Sequence, residues 1–62
     1  MEAKKMKQVI IYRSEEDNMG MIGHHPMTLE MTDCLIEQYR LMGWTERATA
    51  SKNLYHFTKN DD

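Results

Sequence analysis

"KQVIIYR", residues 7–13, is the stretch on which the fold turns. Val9, Ile10, Ile11 and Tyr12 are β-branched or aromatic, and the run is too short for a typical helix, so the pattern predicts a strand. Side chains alternate along a strand. Val9 and Ile11 therefore face one way, Ile10 and Tyr12 the other, and both faces are apolar. Such a strand belongs in the middle of a sheet, with a helix over one face and a partner over the other.

On the N-terminal side, "MEAKKM" at 1–6 has no periodicity and is expected to be flexible. On the C-terminal side, "SEEDN" at 14–18 is polar, and Asp17-Asn18 suits a turn. Residues 19–24 then read as a short edge strand weakened by Gly20 and Gly23, and Pro26 marks its boundary.

Residues 29–42, "LEMTDCLIEQYRLM", are the best helix in the chain. Thr28 is the expected N-cap, and Glu30 and Asp33 sit where the helix dipole favours negative charge. Met31, Leu35, Ile36, Tyr39 and Met42 share one broad face, whereas Cys34 and Leu41 lie outside it, so a second side of the helix is apolar. Gly43 fits the left-handed position that ends a helix, which places Trp44 against Tyr39. Residues 45–59 predict a hairpin with arms near 45–50 and 54–59 and a turn at Ser51-Lys52-Asn53. In the second arm Leu54, His56 and Thr58 share one face, and Tyr55, Phe57 and Lys59 share the other. Residues 60–62 are expected to be a disordered acidic tail.

The fold class that follows is α+β: one helix packed on a small, mostly antiparallel sheet of three to four strands, in the order β-(β)-α-β-β. Residues 7–59 form the single domain. At 62 residues, a chain buries only about 60% of the surface its unfolded form exposes. Small folds of this size usually lean on a disulfide, a metal or another subunit. One cysteine, Cys34, rules out an intrachain disulfide and suits a reducing, cytoplasmic compartment. The N-terminal lysines lead into no apolar segment of the kind a secretory signal needs.

Little in the chain suggests catalysis. Cys34 lies inside a helix, where the dipole does not activate a thiol, and it is expected to be inert and partly buried. Gly20 and Gly23 lack the lysine and spacing of a phosphate loop. His24, His25, Cys34 and His56 could ligate a metal, but they lack the close-spaced ligand pair of a zinc site. No enzyme, no metal and no cofactor are expected.

The residues point instead to an accessory or regulatory protein that binds another protein, itself included, as a homodimer. Ile10, Tyr12, Cys34 and Leu41 are the candidate partner-binding residues, being apolar and facing away from the expected core. The alternative is single-stranded nucleic-acid binding. There, Lys4, Lys5, Lys7 and Arg13 would hold phosphates, and Tyr55 and Phe57 would stack bases on the sheet. A net charge of −2 weighs against that alternative and against attraction to an anionic membrane.

Overall fold

The computed structural model describes residues 6–60. In chain order the elements are β1 (Met6–Ser14), β2 (Met19–Ile22), β3 (His25–Met27), α1 (Leu29–Leu41), β4 (Thr45–Arg47) and β5 (Leu54–Asn60). The strands form one sheet in the order β3-β2-β1-β5-β4, and every neighbouring pair is antiparallel. The expected α+β class holds, and β1 is the central strand.

The sheet has five strands rather than three or four. The additional strand is β3, and it includes Pro26, expected only as a boundary. Proline cannot donate a ladder hydrogen bond, but an edge strand can turn the missing donor outward. β2 is accordingly an inner strand rather than an edge. Gly23 and His24 form the two-residue loop between β2 and β3. Gly23 has φ +59°, the conformation a glycine supplies at the first position of a tight hairpin turn. At the chain's ends Met6 pairs with Asn60, so β1 and β5 each run one residue beyond the expected domain limits. Residues 1–5 and 61–62 lie outside the described residues.

Both ends of α1 follow from their residues. Thr28 Oγ1 accepts from the Met31 amide at 3.1 Å. At the other end Gly43 has φ +87°. Its N–H donates to the Arg40 carbonyl at 3.2 Å, and the Trp44 N–H donates to the Tyr39 carbonyl at 3.1 Å. These are the paired bonds of a Schellman cap, which satisfy carbonyls the helix leaves open. The predicted Trp44–Tyr39 contact is present, edge to face at 4.9 Å between centroids. Tyr39 in turn stacks on Phe57 at 5.5 Å.

The helix presents a different inner face from the one expected. Thr32 and Ile36 are its buried residues, with Leu35 and Tyr39 packed beside them. Met31 and Met42 are more than half exposed. The reason lies on the sheet, where Gly20 leaves a hollow beneath the helix. A Cβ at Gly20 would collide with the Thr32 side chain. Thr32 fits the hollow, and its hydroxyl is satisfied by the Thr28 carbonyl at 2.7 Å. Two ion pairs pin the helix over this face, Arg13 with Asp33 at 2.6 Å and Arg40 with Glu46 at 2.9 Å. Among the described residues the fully enclosed apolar core is small: Ile11, Ile36 and Phe57.

Candidate protein-binding face

Register assigns every strand residue to a face. Ile11 pairs with Tyr55 and Ile22, and Val9 pairs with Phe57, which puts all five under the helix. The alternate residues form the opposite face, which no helix packs against among the described residues, although Ser14 and Thr58 on it are buried. One row across that face runs Leu54, Tyr12, Met21, Pro26. The next runs Arg47, His56, Ile10, and a third runs Thr45, Thr58, Gln8. The open face thus grades from an apolar row near the β1–β2 turn to a polar row at the other end.

Ile10 is 54% exposed on the central strand, with β5 on one side and, among the described residues, no strand on the other, and Leu54 is 37% exposed one row away. A groove of about 460 Å³ lies in the notch where β2 ends beside β1, lined by residues of both faces: Gln8, Val9, Ile10, Tyr12, Met21, Ile22 and Gly23. The Tyr12 hydroxyl donates to Asp17 Oδ2 at 2.8 Å, which holds the ring along the face. His56 Nε2 and Gln8 Oε1 are hydrogen-bonded at 3.0 Å. Arg47 Nε donates to Thr58 Oγ1 at 3.2 Å. Arg47 is the one charged side chain that the described strands place on this face.

The four candidate partner-binding residues divide between two surfaces. Ile10 and Tyr12 lie on the open face as expected. Cys34 and Leu41 lie on the outside of α1, across the molecule, where Leu41 is 78% exposed. Cys34 is exposed rather than partly buried. It lines a shallow apolar depression with Met27, Met31, Leu35 and Gln38. Met21, Leu54 and His56 join the open face through register, and composition alone gave no signal for them.

The six nucleic-acid candidates are not brought together either. Lys4 and Lys5 lie outside the described residues. Lys7 is exposed, six strand positions from Arg13. Arg13 is engaged by Asp33 and by Glu15. Hydrogen bonds to Asp33, then to Glu15, hold its pKa above the usual arginine value. Phe57 is fully buried against Tyr39, so it has no ring face to offer a base. Tyr55 is half-buried on the same covered side.

The histidines are also dispersed. His24 and His25 shape the β2–β3 turn, whereas His56 lies on the open face and Cys34 on the outer helix. Among the described residues no group of three or more His, Cys, Asp or Glu side chains is placed to hold a metal ion, and no helix is long and apolar enough to cross a membrane.

No protein-family model, curated protein or solved structure matches the chain.

Proposed function

We propose that this is a non-enzymatic accessory or regulatory protein of the cytoplasm that acts by protein–protein interaction and is itself a homodimer, closed across the open face of its sheet. The observation that carries the reading is Ile10: a large aliphatic side chain on the central strand, 54% exposed, just past the point where β2 ends. Tyr12, Met21 and Leu54 extend the apolar area around it. Burying one such side chain is worth about 1.5–3 kcal/mol, which favours a covering chain over solvent.

The outer strands of the sheet are poor sites for edge-to-edge association, although β1 from Met6 to Ile10 has a strand on its β5 side only among the described residues. β3 and β4 are three residues each. One contains Pro26 and the other the charged Glu46 and Arg47, features that blunt an edge against pairing. The strands lay down roughly 400 Å² of sheet plane per copy, at about 3.4 Å per residue and 4.8 Å between strands. That is below the roughly 800 Å² per partner of a standard stable interface, so a reversible dimer is expected rather than a permanent one.

Sedimentation equilibrium from about 1 to 500 μM tests the proposal, a range chosen to bracket weak association. A mass rising towards twice the 7.4 kDa chain is expected, and Ile10→Lys should hold the chain at one copy with its far-ultraviolet dichroism unchanged. A wild type that stays monomeric throughout would remove the homodimer. A dimer that survives Ile10→Lys would move the interface off this face.

A further inference from the structure

We infer that His56 makes closure of the open face dependent on pH, with the dimer favoured when the imidazole is neutral and released when it is charged. This rests on the homodimer reading. His56 lies mid-row between Arg47 and Ile10, so a second copy lying face to face across that row covers it. The groups that face it are few. From β1 come Gln8, hydrogen-bonded to Nε2 at 3.0 Å, Ile10, its cross-strand partner, and on the adjoining row Tyr12, whose hydroxyl is given to Asp17. From β4 comes Arg47, its other cross-strand partner. On β5 itself, Leu54 and Thr58 flank it on the same face. None of these is a carboxylate, and the one charged neighbour is a cation.

A neutral imidazole is served by the Gln8 amide oxygen, which accepts from Nε2–H. The imidazolium adds a second N–H and a positive charge beside Arg47, and no described residue facing it supplies a negative charge. In the open chain, water compensates. Closing the face removes that water, and dehydration disfavours the charged form of the ring. Imidazole is the side chain whose charge ordinarily changes between pH 5 and 8. Two protons, one per copy, are therefore excluded from the closed dimer, and acidification shifts the equilibrium towards single chains. An interface of small area is easily tipped in this way.

The test is sedimentation equilibrium at pH 7.5 and 5.5, with dichroism at both to show that the chain stays folded. The wild-type dissociation constant should rise at least tenfold at pH 5.5. For His56→Gln, and for His56→Thr as a second variant, the ratio of the two constants should fall to near one. His24→Gln/His25→Gln, altered only in the β2–β3 turn, should keep the wild-type ratio. Independently of any variant, NMR titration of the His56 ring should show protonation at lower pH in concentrated than in dilute wild-type protein. A wild-type dimer equally tight at both pH values would overturn the switch and leave the homodimer standing. So would a pH effect that persists without His56, or identical His56 titrations at the two concentrations. A chain monomeric at both pH values would remove the homodimer and the switch together.

Discussion

Ile10 and Ile11 are adjacent and chemically identical on the central strand, yet one is 54% exposed and the other fully buried. Their local propensities cannot account for the difference. What separates them is the pleat, which turns Ile11 under α1 and Ile10 away from it. A helix of 13 residues is about 20 Å long and covers one side of a small sheet, never both. The closed face is specified by shape: Thr32 in the hollow over Gly20, and Tyr39 between Phe57 and Trp44. The open face has apolar material without such complementarity inside the chain. Burial of an apolar residue in a domain this small is thus set by where the helix lies as much as by residue type.

The sharpest way to break the comparison is to cut into the closed face. Phe57→Ala removes a fully buried ring and its stack on Tyr39, with an expected loss of about 3–5 kcal/mol. Urea titration should show this as a collapse of the folded population, since a domain of this size has little more stability to lose. A midpoint near that of the parent would mean that the three-residue core is not what holds the helix to the sheet.

A smaller effect is expected from Gly20→Ala. The added methyl meets Thr32, and overpacking of this kind costs about 1–3 kcal/mol. Gly20→Ala/Thr32→Ala, which removes the two side-chain atoms nearest the added methyl, should recover part of the loss in the same titration. Failure to recover would argue that Gly20 is needed for another reason. The least change should come from the other side of the sheet. Ile10→Thr keeps a β-branched residue, and in dilute solution its midpoint should lie within about 0.5 kcal/mol of the parent, as surface substitutions do. A loss as large as that of Phe57→Ala would mean that Ile10 is part of the folding core, and the contrast between the faces would disappear.

Much of this architecture can be read from residue types. The alternation of 7–13 and of 54–59, the Thr28 cap and the Gly43-Trp44 stop are local signals, and each has its counterpart in the fold. The parts that could not be read depend on distant contacts. β3 is three residues long and holds a proline, so only its place at an edge makes it a strand. Hydropathy ranks Met31 above Thr32 for the inner face, and only the hollow at Gly20 reverses the order. Of the open face, Ile10 and Tyr12 were legible because both lie on one strand. Met21, Leu54 and His56 were not, because they belong with Ile10 and Tyr12 only through the register of three strands. Cys34 and Leu41 shared the same apolar, outward character, and the fold puts them on the opposite side.

The edge-to-face seat of Trp44 on Tyr39 also determines what the molecule reports about itself. It is the chain's single tryptophan, and it packs with the cluster beneath the helix, on the covered side of the sheet. Its emission registers whether the helix end is docked, and it does not sense what lies against Ile10. Light from this protein therefore follows folding and is blind to company, so a sample that dissociates without unfolding keeps its fluorescence spectrum.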